Sequence, residues 1–137
     1  MGRVLSLDPG TVRCGVALSD SARTMAFPRA ALAGGEDLAA RVAALVEEES
    51  VEVVVVGRPV ALSGRATSST TLADALCREL REVLSGVEVV AVDERLSTVE
   101  AARRLAGAGR RAREARGALD SAAAVVVLEA YLGGARG

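Results

Sequence analysis

The chain has 137 residues, half of them hydrophobic but with only one Tyr and one Phe, and a net charge of −1. That length can bury an aliphatic core and predicts a single domain over residues 1–137. Nothing in the total charge predicts a general nucleic-acid binder, and the absence of histidine excludes a Ser-His-Asp triad, a Cys-His pair and any His-based zinc site. Carboxylates are left as the catalytic candidates.

Residues 3–8 and 14–19 read as strands joined by a short Pro-Gly turn, an antiparallel hairpin. A third strand over residues 26–32 contains Pro28, which suits a sheet edge. From Asp37 onward, Leu38, Val42, Leu45 and Val46 recur at helical spacing up to Glu47, Glu48 and Glu49. The run VEVVVVG, residues 51–57, has the continuous apolar character of a strand covered on both faces. The Gly/Ser/Thr-rich stretch GRPVALSGRATSST reads as a loop, and Leu72, Leu76, Leu80 and Val83 then form one stripe of a second amphipathic helix. A strand over 87–92 closes that unit. Ser97-Thr98-Val99-Glu100 is a capping box that opens a third helix running toward Gly107. A Gly/Arg-rich connection, 107–117, leads to a last helix from Asp120 to about Leu132. A hairpin followed by alternating helices and strands predicts an α/β fold, a mixed sheet with helices on its faces.

Cys14 and Cys77 lie far apart without CxxC spacing, in apolar surroundings where a buried thiol is expected, as in a reducing compartment. The chain enters its first strand within two or three residues, which leaves no room for a signal peptide. No apolar run approaches the roughly 20 residues of a membrane span. A cytoplasmic protein without membrane contact is expected.

Acids recur where apolar elements begin or end. Asp8 closes the first strand, Asp93 and Glu94 close the strand over 87–92, and Asp120 opens the last helix. Each has an ordinary structural use: Asp-Pro-Gly is turn chemistry, Asp120 suits an N-cap, and Asp93 and Glu94 suit a solvated loop. Together, at the carboxyl ends of strands where open α/β sheets place their sites, they point to an acidic centre. Carboxylate oxygens from several elements are what divalent Mg²⁺ or Mn²⁺ prefers, and what two-metal nucleases use.

Four stretches in order, LSLDPGTVRCGVALSD, VVVGRPVALSG, VDERLSTVEA and LDSAAAVVVLEAYL, resemble the YqgF/RuvX family, pre-16S rRNA nucleases related to Holliday junction resolvases of the RuvC type. The resemblance spans nearly the whole chain. It implies an RNase H-like fold, a mixed five-stranded sheet flanked by helices, and metal-dependent phosphodiester hydrolysis, for which in-line attack by a water activated by Mg²⁺ or Mn²⁺ would leave a 3′-hydroxyl and a 5′-phosphate. It also implies a role in maturing the 5′ end of 16S ribosomal RNA. By residue, it implies that Asp8, Glu94 and Asp120 are the catalytic and metal-holding acids, with Asp93 as the alternate to Glu94. Arg95 would orient the acids or touch phosphate.

The loop after the Val-rich strand offers Arg58 and Arg65, with Ser63 and Gly64, to a nucleic-acid backbone. Arg110 and Arg111 do the same within a basic stretch. The family often carries a Lys before its final Asp-Ser-Ala motif, whereas this chain has Arg113 and Arg116; Arg keeps the charge but not the compact ammonium.

The implied partners are RNA, in particular pre-16S rRNA within ribosomal precursor particles, or branched DNA. A non-catalytic RNA-binding assembly or transcription factor is the alternative. DPGT also resembles the phosphate loop of actin-like ATPases and sugar kinases, which close two such domains over a nucleotide; a single domain of this length is not expected to do so. Junction resolution normally needs two sites on a symmetric dimer, and monomer and homodimer both stay open.

Overall fold

The computed structural model describes residues 2–61, 63–94 and 121–135. The hairpin forms as expected, with β1 (Arg3–Asp8) antiparallel to β2 (Arg13–Ser19) and Leu7 opposite Val16. β3 (Ala26–Ala33) pairs antiparallel with β2 at the sheet edge, where Pro28 lies opposite Ala17. An edge strand is laddered on one side only, so a residue without an N–H is tolerated there. Helix α1 (Leu38–Glu48) leads to β4 (Val51–Arg58), which runs parallel to β1. Helix α2 (Ser68–Val83) leads to β5 (Glu88–Asp93), parallel to β4. Helix α3 (Ala122–Ala130) continues into a π-helical turn, Tyr131–Ala135. The result is a mixed five-stranded sheet in the order β3-β2-β1-β4-β5. The expected helix from Ser97 and the connection 107–117 lie outside the described residues.

Side-chain alternation along the strands divides the core into two layers. Leu5, Leu7, Val16, Val54 and Val56 pack with Val42 of α1 and Leu76 and Leu80 of α2. Val4, Ala17, Val53, Val55 and Val92 pack with Ala124, Val127 and Leu128 of α3. The unbroken valine run of β4 thus serves both layers, and each such side chain contributes on the order of 1.5–3 kcal/mol when fully buried. Helix α3 is apolar nearly all round, the pattern of a helix sunk into a core.

Two buried hydroxyls fix α3 on the sheet. Ser6 Oγ donates to the Ala124 carbonyl at 2.9 Å. Ser121 Oγ accepts from the Val16 N–H at 3.0 Å and donates to the Arg29 carbonyl at 2.7 Å. The β2–β3 register shifts between Cys14 and Val16, so the hydroxyl satisfies main-chain groups beside the irregularity.

Candidate active site

The acids at the carboxyl ends of β1 and β5 sort by strand face. In β1, Val4 and Ser6 turn toward α3 while Leu5 and Leu7 turn toward α1 and α2. Asp8 continues the parity of Val4 and Ser6. In β5, Val90 and Val92 pack in the α3 layer and Val89 in the other, so Asp93 takes the α1/α2 parity and Glu94 the α3 parity.

Glu94 is 6% exposed, and its contacts agree with that parity. Its Oε1 lies 2.9 Å from where a Cβ on Gly57 would stand, and Val127 Cγ2 of α3 lies 3.1 Å from the same point. Gly57 belongs to β4, between β1 and β5. The β1–β4 register pairs Leu7 with Val56, and one further step brings Asp8 level with Gly57. Asp8 and Glu94 therefore take the same face of the sheet, on strands either side of a position that carries no side chain.

Asp93 has different company. It pairs in register with Arg58, whose Nε and Nη2 donate to Asp74 Oδ1 and Oδ2 of α2 at 2.8 and 3.2 Å. That hydrogen bonding holds the Asp74 carboxyl below its usual range and raises Arg58, to which Asp93 adds a smaller attraction. Arg58, expected on substrate, ties the end of β4 to α2. Arg65 is exposed in the following loop, where its carbonyl accepts from the Ala61 N–H at 3.0 Å and Gly64 turns with φ +88°. Asp120, Arg95, Arg110 and Arg111 lie outside the described residues.

A cleft of about 610 Å³ opens at the end of β1, lined by Asp8, the β1–β2 turn with Arg13, and Ser68, Ser69 and Thr71 of α2. The α2 start comes from the stretch read as loop. Thr67 Oγ1 accepts from the Thr70 N–H and Thr70 Oγ1 accepts from the Thr67 N–H, a capping box built from two threonines, and Thr70 also donates to the Pro59 carbonyl. The Thr-x-x-Thr spacing was the available signal, but it lacks the usual Glu or Gln.

Cys14 and Cys77 are free and buried. Burial, helped by the nearby Asp8 charge, pushes the Cys14 thiol up to about 12, and burial raises Cys77 as well. Neither thiol ionises readily enough to serve as a nucleophile. Among the described residues, no three or more Cys, Asp or Glu side chains converge on a metal-binding geometry. The donor chemistry still suits an oxygen-preferring cation: the Glu94 carboxylate borders the space that a Cβ on Gly57 would fill, and Asp8 takes the same face of the sheet by strand parity.

Residues 2–134 match the RuvX family, described as "Holliday junction resolvase". The chain belongs to the RuvX family. A "Putative pre-16S rRNA nuclease" of Mycobacteroides abscessus is 43% identical over 134 residues, covering 96% of this chain and 81% of that protein. One of the same description from Corynebacterium jeikeium is 40% identical over 133 residues, covering 96% and 86%. Among solved structures, RuvC of Thermus thermophilus in complex with Holliday junction substrate is 17% identical with TM-score 0.57, covering 97% of this chain and 95% of that one. The fowlpox virus Holliday junction resolvase is 11% identical with TM-score 0.54, covering 96% and 98%. These likenesses bear out the expected RNase H-like fold. As a RuvX member the chain is a nuclease, a hydrolase of phosphodiester bonds. No described helix is long and apolar enough to cross a membrane.

Proposed function

We propose that this RuvX nuclease acts in the cytoplasm on ribosomal precursor particles, trimming the 5′ end of precursor 16S rRNA with Mg²⁺ or Mn²⁺ held by Asp8, Glu94 and Asp120. The observation that supports it most is the placement of Asp8 and Glu94 on one face with bare Gly57 between them. When bound, the divalent cation supplies Lewis acidity to the phosphoryl oxygen and lowers the pKa of the attacking water. Asp8, at the lip of the cleft, and Glu94, shielded beneath the end of β4, contribute the negative charge that holds it. A cation near so shielded a carboxylate is felt strongly, because the local dielectric is low. Asp120 enters on the family resemblance and on its place one residue before Ser121.

The cleft gives an RNA backbone a way past Asp8, along Arg13 and the hydroxyls of Ser68, Ser69 and Thr71. Arg65 extends that path from the loop after β4. Arg58 joins it only by leaving Asp74, and Arg95 orients the acids or touches phosphate. The relatives' descriptions favour the rRNA substrate, while the family description favours branched DNA as a second reading.

The test is cleavage by purified protein, with Mg²⁺ or Mn²⁺, of a precursor 16S 5′ fragment and of a four-way DNA junction. RNA cut to a 5′-phosphate end supports the proposal. Preferential, symmetric cutting of the junction replaces it with the DNA reading, and RNA bound but left intact by every metal supports a non-catalytic RNA-binding factor.

A further inference from the structure

We infer that Gly57 is a positioning residue: the side chain it lacks sets where the Glu94 carboxylate lies, and so distinguishes Glu94 from Asp93 as the acid that works with Asp8. The inference rests on the metal site proposed above. Four consecutive valines, Val53 to Val56, lead directly into Gly57 in β4, and another apolar branched residue would suit a strand better than glycine, which weakens strands. The backbone does not require glycine, since Gly57 is not among the residues with positive φ. The reason is steric. A Cβ at position 57 would stand 2.9 Å from Glu94 Oε1, 3.4 Å from Glu94 Cδ and 3.1 Å from Val127 Cγ2.

Val127 is fully buried in the α3 layer and has little room to withdraw. The Glu94 carboxylate, at the end of a longer side chain, is the group that yields. It would be turned away from the strip between β1 and β5, which is where Asp8 stands level with Gly57. Asp93, on the opposite parity, would not feel the change.

The experiment compares Gly57→Ala, Glu94→Gln, Asp93→Asn and the pairs Gly57→Ala/Glu94→Gln and Gly57→Ala/Asp93→Asn. Mn²⁺ affinity is measured by calorimetry, thermal midpoints without metal, and the pH titration of the Glu94 and Asp93 carboxyl carbons by NMR in metal-free protein. Gly57→Ala should weaken Mn²⁺ binding by about tenfold or more, as loss of a supporting contact around a metal site typically does. It should change the Glu94 titration, leave that of Asp93 unchanged, and add nothing to the loss already caused by Glu94→Gln. On the Asp93→Asn background its effect should appear in full.

An unaltered Glu94 titration, or an equal further loss on the Glu94→Gln background, overturns the inference. Should Gly57→Ala fail to fold, Gly57→Ala/Val127→Ala relieves the second contact and keeps the first, and the same titration decides. If the parent protein binds no Mn²⁺, the proposed metal site fails separately, while the metal-free Glu94 titration still judges Gly57.

Discussion

Ser121 supplies to Val16 a hydrogen bond that a neighbouring strand would ordinarily make: its Oγ accepts the Val16 N–H at 3.0 Å, across 105 residues of chain. The same oxygen donates to the Arg29 carbonyl, so one fully buried hydroxyl satisfies groups on two strands. Ser121→Ala would leave the buried Val16 N–H and the part-buried Arg29 carbonyl without this partner, at about 1–3 kcal/mol for the buried group left unsatisfied. Chemical denaturation should show that loss. Because Asp120 is the preceding residue, cleavage should fall as well, and a variant of parental stability and activity would refute the role given to the hydroxyl.

Asp8→Asn should abolish cleavage and leave the fold intact, since it removes the charge at nearly constant shape. Like-charge repulsion among acids on one face is relieved at the same time, so the metal-free variant should melt at or slightly above the parent temperature. Circular dichroism melts and cleavage rates, taken with the same metal, check both parts. Undiminished cleavage by the variant would remove Asp8 from the site.

Much of the fold was legible because it follows from periodicity. The hairpin, the valine run of β4 and the edge position of Pro28 each depend on local pattern, and the structure reproduces them. What was not legible depends on contacts between distant residues. The bond of Arg58 to Asp74 is one example, because that partner stands sixteen residues later on α2. Alternation required Asp93 and Glu94 to take opposite faces, yet it carried no phase; the phase comes from Val89 packing in one layer and Val90 and Val92 in the other. Gly57 did carry a local signal, a lone glycine closing a valine run, which often marks a close approach. Only the packed structure shows what approaches it.

The same phase sets an order between the paired acids. Glu94→Gln should weaken Mn²⁺ binding and cleavage more than Asp93→Asn, because Glu94 shares the α3 parity of Asp8 and Asp93 lies toward Arg58. Parallel Mn²⁺ titrations of the two variants measure this, and a larger loss for Asp93→Asn would reverse the assignment.

Away from the site, the turn before β3 has its own pH dependence. Asp20 accepts from Thr24 Oγ1 at 2.6 Å and from the Thr24 and Met25 N–H groups at 2.7 and 3.0 Å. These bonds, the Thr24 side chain first, lower its pKa from 3.8 to about 2. A carboxyl depressed on folding stabilises the folded state above its unfolded pKa, and that contribution is lost as pH falls through the folded value. Asp20→Asn should therefore be less stable than the parent above about pH 4, with the gap constant there and closing toward pH 2. Urea unfolding of both proteins across pH 2–6 tests it; a gap independent of pH would show that the charge of Asp20 is not involved.

The basic stretch before Asp120 should act on substrate and not on metal. Arg103, Arg104, Arg110, Arg111, Arg113 and Arg116 put six cations into fourteen residues, against the single acid Glu114, in a chain whose net charge is −1. A solvated cationic segment needs no function of its own, so position carries the argument: in sequence it leads directly into the last acid of the proposed site. There its cations would offset the repulsion between a polyanionic substrate and the carboxylates. Each phosphate neutralised by such a cation releases counterions, so losing one contact should reduce the slope of log affinity against log salt by about 0.7–0.9. Arg110→Ala combined with Arg111→Ala should weaken RNA binding, flatten that slope and leave Mn²⁺ affinity nearly unchanged. Anisotropy titrations across a salt series measure the slope and calorimetry the metal. An unchanged slope would mean that these arginines do not meet the phosphate backbone, while a parallel fall in Mn²⁺ affinity would place their effect on the acids instead.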